Sequence, residues 1–254
     1  MKLHIKQSGQ GPVLVLLHGW GMHSAVWGDF LRSLEKQFTV VCVDLPGHGQ
    51  SDVEQLWTLD EVVQALVNQL PEKFMLLGWS LGGMIALRLA SQYSERVSKL
   101  IMLASSAKFV RSQDWRCAQM KTVLELFSKH LIDDPKATIK RFLLLQTQGL
   151  KKAGSVNHRL RELLAEDKLP SMLGLKSGLD ILAGADLRDD LPKLTCPTLL
   201  LLGEMDQLIP CSVIEASVAL NPSLKSVIID KAVHVPFLSH HDETFNEVKK
   251  FCCE

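Results

Sequence analysis

Apolar residues fall along this chain in two kinds of run. Short apolar blocks, unbroken at residues 13–17, 74–77 and 199–202 and interrupted at 38–43 by Thr39 and at 97–103 by Ser98 and Lys99, are separated by longer stretches whose apolar positions recur every three or four residues. Unbroken blocks suit strands buried on both faces, as in a parallel sheet, and the longer spacing suits amphipathic helices. Helices are predicted over residues 24–36, from Thr58 to about Leu70, from residue 81 to about Tyr93, and over about 211–220 and 242–251, with a further strand at 226–230. Thr58 with Glu61 three residues on reads as a capping box that starts its helix. The first six residues alternate polar and apolar, the pattern of an edge strand and not of a signal peptide. Strands alternating with helices predict an α/β fold, a mostly parallel sheet wound with helices on both faces.

The alternation stops near Ala104-Ser105-Ser106 and resumes at Cys196-Pro197. Between them, from Lys108 to about Leu187, only helical spacing is found, as in Leu124, Phe127, Leu131 and in Ile139, Phe142, Leu143, Leu145. The expected organisation is therefore a core in two parts, residues 1–105 and 187–254, interrupted by a helical insertion at 106–186.

Composition narrows the function only by exclusion. The 254 residues carry no formal net charge, which gives no ground for a nucleic-acid partner or a membrane surface. No apolar run approaches the roughly 20 residues that cross a bilayer. The six cysteines show neither metal spacing nor a disulfide framework and suit a reducing cytoplasm. No cofactor and no metal is implied.

Chemistry enters at Gly78-Trp79-Ser80-Leu81-Gly82. This G-x-S-x-G lies between a predicted strand and a predicted helix, the context of a nucleophile elbow. Glycines two residues either side leave room for a serine in a strained conformation, and the turn sets its hydroxyl beside a helix N-terminus. Ser80 then needs a base, and the base an orienting acid. Of nine histidines, His18, His48 and His234 follow predicted strands closely. His18 and His48 sit among turn glycines and read as structural, whereas His234 completes the order Ser…acid…His. His240 and His241, at the start of the last helix, read as capping or surface residues. Asp206 is favoured as the acid, with Glu204 its rival beyond the same strand; Asp44 breaks the order and reads as a loop brace. An oxyanion hole would use the amides of Leu81 and Trp20, with the Trp20 indole as a pocket wall.

His18-Gly19-Trp20-Gly21, the serine motif with Gly83 after it, and Arg141-Phe142-Leu143-Leu144-Leu145-Gln146-Thr147 inside the insertion together resemble the pimeloyl-[acyl-carrier protein] methyl ester esterases of biotin synthesis, a family of α/β-hydrolases with a helical lid. The resemblance implies Ser80, Asp206 and His234 as catalytic residues. It implies a substrate site of Trp20, Ser80, Leu81, Phe142, Leu143, Leu144, Leu145, Gln146 and His234. The reaction would be hydrolysis of a methyl ester on a pimeloyl chain held by acyl-carrier protein. Between Lys136 and Arg161 there are seven basic side chains and no acidic one. Lys140, Arg141, Lys151, Lys152, Arg159 and Arg161 are the candidate surface for such an acidic carrier. A general short-chain carboxylesterase, a C–C bond hydrolase, and a binding protein that keeps the fold without turnover are the alternatives. A cytoplasmic monomer is expected.

Overall fold

The computed structural model of the chain describes residues 1–150, 153–166 and 169–254. Seven strands make one sheet: β1 (Ile5–Gly9), β2 (Val13–Leu17), β3 (Thr39–Val43), β4 (Phe74–Trp79), β5 (Val97–Leu103), β6 (Thr198–Gly203) and β7 (Lys225–Ile229). Their spatial order is β1-β3-β2-β4-β5-β6-β7. Only β1 runs antiparallel, against β3 at one edge; every other pairing is parallel.

Strand side chains alternate between two apolar cores, one on each face of the sheet. Val15 and Leu17, Leu76, Leu100 and Leu200 enter the first core; Leu14 and Leu16, Leu77, Ile101 and Leu201 enter the second. Buried on both faces, the central strands β2, β4 and β6 are apolar at nearly every position. Of the ten helices among the described residues, α2 (Leu59–Gln69), α3 (Leu81–Gln92) and α8 (Val213–Leu220) cover the first face. The second is covered by α1 (Gly28–Leu34) and α10 (His241–Cys253), the latter preceded by the single turn α9 (Pro236–Ser239). The capping box at Thr58 forms, its hydroxyl accepting the Glu61 amide while the Glu61 carboxylate accepts the Thr58 amide.

Among the described residues, four α-helices lie between β5 and β6: α4 (Lys121–Asp133), α5 (Pro135–Gln146), α6 (Ala153–Glu166) and α7 (Met172–Gly184). Helical structure begins here later than expected. Residues 106–120 form an extended stem, in which Lys108 pairs with Asp186, Val110 with Gln119 and Ser112 with Trp115. The outgoing and returning chains thus bond to each other at the base of the insertion, where the Lys108 ammonium also lies 2.8 Å from the Asp186 carboxylate. Long-range pairing overrides local helical spacing there. The helix expected over 24–36 is likewise divided. A 3-10 turn, Ser24–Trp27, ends where Gly28 takes φ 43°, and α1 follows.

Candidate active site

Ser80 stands between β4 and α3 with φ 55° and ψ −117°, a conformation a non-glycine residue holds only under constraint. Its amide donates to the Leu103 carbonyl at 3.0 Å, and the Ser105 hydroxyl donates to the Ser80 carbonyl at 2.7 Å. Close packing explains the flanking glycines. A Cβ on Gly78 would strike the Gly82 carbonyl, and one on Gly82 the Leu17 carbonyl.

The loop after β7 brings His234 to this serine, and the loop after β6 brings Asp206 to the histidine. His234 Nε2 is 3.0 Å from Ser80 Oγ, and His234 Nδ1 is 2.8 Å from Asp206 Oδ2. An ionised carboxylate only accepts, so Nδ1 carries the proton and Nε2 presents its lone pair to the serine hydroxyl. The other carboxylate oxygen, Oδ1, accepts the amides of Leu208 at 2.8 Å and Ile209 at 3.0 Å. All three side chains are nearly closed off from solvent, Ser80 at 5%, Asp206 at 4% and His234 at 1% exposure. Glu204 does not reach the imidazole; it accepts the Lys231 amide at 2.9 Å and braces the turn leading to His234. Trp79 adds a tie that the sequence reading missed. Its indole N–H donates to the His234 carbonyl at 2.8 Å, pinning the histidine loop to the strand that carries the serine. A tryptophan inside the serine motif, whose buried N–H must find an acceptor, was the available signal.

The remaining histidines after strands hold loops together. His18 accepts the Leu45 amide at Nε2, 2.9 Å, and donates from Nδ1 to the Gly19 carbonyl, 2.8 Å. Burial lowers its pKa to about 4, with Asp44 acting in the opposite sense. His48 bonds the Pro46 carbonyl at 3.1 Å; burial first, then the charge of His18, lowers its pKa to about 3. Asp44 accepts the amides of Ser24 at 2.7 Å and Gln50 at 3.0 Å. Burial opposes its charge, yet His18 and these N–H donors hold its pKa below the usual carboxylate value. His240 accepts the Thr244 hydroxyl through its backbone at the start of α10, and His241 lies 3.2 Å from the Ser33 hydroxyl.

Leu81 is the first residue of α3, so its N–H has no acceptor within the helix and lies directly beyond the serine. The loop bearing Trp20 comes equally close. A Cβ on Gly19 would lie 3.2 Å from the Ser80 Cβ. Trp20 donates from its indole to the Leu175 carbonyl at 2.8 Å. Its ring meets Phe127 and Phe142 edge-on, at centroid separations of 5.3 Å and 5.0 Å. These three rings wall an apolar cavity of about 40 Å³ that Leu145, Leu179 and Leu208 help to close.

The segment from Phe142 to Gln146 does not line this cavity as a unit. Each helical residue turns about 100° from the last, so only Phe142 and Leu145 face it. Leu143 turns into the second core, and Leu144 is 47% exposed on the outside. Gln146 is fully buried with neither amide atom hydrogen-bonded. Phe127 and Leu145 also border an open depression of about 600 Å³, with Leu144 and Arg141 on its wall. Cavity and depression therefore meet at these two side chains.

Among the candidate carrier-binding residues, Lys140, Arg141 and Arg161 are exposed. Arg159 is not an unpaired charge. Its guanidinium is 3.7 Å from Glu162, which also meets His158 at 3.1 Å, so the acid-free window ends where an acidic partner begins. Lys151 and Lys152 lie outside the described residues. Among the described residues, no group of three or more His, Cys, Asp or Glu could hold a metal ion, and no helix is long and apolar enough to cross a membrane.

A doubly wound sheet with a serine elbow, and with acid and histidine loops after two later strands, defines the α/β-hydrolase class. Residues 12–241 match the family described as alpha/beta hydrolase fold. An esterase from Exiguobacterium antarcticum superposes with a TM-score of 0.89 at 23% identity, covering 99% of this chain and 96% of that one, a likeness of fold alone. The pimeloyl-[acyl-carrier protein] methyl ester esterase of Vibrio parahaemolyticus is 41% identical over 98% of this chain and 97% of its own length. The protein of the same name from Aeromonas hydrophila is 40% identical over 99% of both. The chain belongs to this family of carboxylic ester hydrolases.

Proposed function

We propose that this protein hydrolyses the methyl ester of a pimeloyl chain carried on acyl-carrier protein, releasing methanol and the free terminal carboxylate for biotin synthesis. The observation that carries the chemistry is the buried hydrogen-bonded series Ser80–His234–Asp206. As His234 Nε2 takes the Ser80 proton, Oγ attacks the ester carbonyl. Asp206 holds the imidazole in the required tautomer and stabilises the imidazolium. The Leu81 and Trp20 amides donate to the oxyanion. His234 returns the proton to the departing methoxide, and water then cleaves the acyl-enzyme by the same route.

The four helices of the insertion act as a lid. Phe142 and Leu145 contact the acyl chain beside Trp20, and the depression outside them admits the linker to the carrier. Lys140, Arg141 and Arg161, with Lys151 and Lys152, attract the acidic carrier; Arg159, already paired, contributes less. The protein works as a monomer in the cytoplasm, a compartment that suits six unpaired cysteines.

Incubation with carrier-linked pimeloyl methyl ester should release methanol in step with conversion of the carrier to its free-acid form, seen by intact-protein mass spectrometry. Ser80→Ala, which removes one hydroxyl, should fold normally and release none. Turnover by a well-folded Ser80→Ala protein would overturn the mechanism. Equal efficiency on small free esters would instead favour a general carboxylesterase.

A further inference from the structure

Asp206 is held from behind by a side chain of the insertion stem. Gln119 directs its Nε2 at two successive backbone carbonyls, Gln207 at 2.7 Å and Leu208 at 2.9 Å. Each carbonyl shares a peptide unit with the next residue's amide, and those amides, of Leu208 and Ile209, are the two donors to Asp206 Oδ1. In a trans peptide the C=O and N–H point to opposite sides, and the chain has no cis bond. Both peptide units therefore stand between Gln119 and Asp206, accepting from one and donating to the other. Hydrogen bonds in series polarise one another, so the Gln119 amide strengthens both donors to the acid as well as fixing them in place.

The anchor is itself rigid. The Gln119 amide donates to the Phe109 carbonyl at 3.0 Å, and its carbonyl accepts the Arg111 amide at 2.7 Å. Gln119 also lines the apolar cavity, which Leu208 borders from the acid loop. Stem, cavity wall and acid loop thus meet at one side chain.

We infer that Gln119 is a positioning residue for the acid of the triad, coupling the base of the insertion to the orientation of His234. This rests on the Ser80–His234–Asp206 reading above. The test measures hydrolysis of p-nitrophenyl acetate, an ester too short to depend on the cavity. Gln119→Met keeps the length and loses the donor; it should lower kcat roughly tenfold, about 1.4 kcal/mol in activation free energy, with KM nearly unchanged. Gln119→Lys restores an N–H donor and should recover most of the loss. Gln119→Ala serves if the methionine variant folds poorly.

The decisive comparison is a double-mutant cycle. In an Asp206→Asn background, Gln119→Met should lower kcat no further, because the group it positions has lost its charge. Equal losses in both backgrounds would show a wall residue and overturn the inference, as would an undiminished kcat for both Gln119→Met and Gln119→Ala. Full activity in Asp206→Asn alone would instead remove the triad reading itself, a distinguishable result.

Discussion

The sheet and the insertion solve different problems with the same kinds of residue. At the ends of β4, β6 and β7, each polar side chain of the site has a partner: Ser80 meets His234, His234 meets Asp206, and Asp206 takes two amides. In the insertion, Gln146 is buried with no partner, while Leu126 and Leu144 stand 55% and 47% exposed. A fully satisfied polar network fixes one geometry, as a reaction on a single carbonyl requires. Exposed apolar surface instead is open to a partner from outside. Under the proposed function, this contrast would place reactivity at the sheet and choice of substrate in the insertion.

The largest effect should fall on the sheet side. Asp206→Asn should lower kcat by on the order of 10⁴, since the imidazole loses the acceptor that sets its tautomer. Glu204→Gln, which only braces the Lys231 turn, should stay within a few-fold of wild type. Steady-state rates of the two variants separate the acids; a crippled Glu204→Gln beside an active Asp206→Asn would reverse their roles.

How much of this division could be read from the sequence differs between the two regions. The central strands were legible because burial on both faces writes a nearly unbroken apolar run, and the elbow because its glycines are demanded by contacts within a few residues. The stem at 106–120 was not, because its pairings, such as Lys108 with Asp186, join distant residues with no local trace. Five consecutive residues of α5 shared one expected role by resemblance, but helical rotation gives them four environments. Trp79 with the His234 carbonyl and Gln119 with the acid loop are likewise partnerships across the fold. Sequence spacing marks chemistry-bearing residues better than it marks what holds them.

On the insertion side, Phe142→Ala opens the wall that meets Trp20 edge-on. It should raise KM for carrier-linked pimeloyl methyl ester roughly tenfold, the effect of losing about 1.4 kcal/mol of apolar contact. Hydrolysis of a free acetate ester should hardly change. Comparable losses on both substrates would mean that Phe142 supports the site's geometry and not the acyl chain.

A smaller effect concerns acid stability and involves two histidines in loops that follow strands of the sheet. His18 and His48 have pKa values lowered to about 4 and about 3. Below the ordinary value of about 6.5 the unfolded chain takes up protons that the folded chain refuses. Their contribution is complete above pH 6.5 and is lost as pH falls from there toward about 4 for His18 and about 3 for His48. Urea midpoints should therefore decline across that window, and His48→Gln should flatten the decline. An unchanged slope in that variant would mean other groups govern it.

The division of labour is tested most directly by one ratio, kcat/KM for carrier-linked pimeloyl methyl ester over kcat/KM for a small free methyl ester, measured for wild type and for the double variant Lys140→Glu, Arg141→Glu across a salt series. Both residues are exposed on α5, and exposed charges are screened beyond about 8–10 Å near physiological salt. The wild-type ratio should be high at low salt and should fall as salt is added. In the variant it should be reduced several-fold, through KM on the carrier-linked substrate alone, and should respond little to salt. A ratio equal in the two proteins at every salt concentration would contradict the claim that the insertion selects the substrate through its charge.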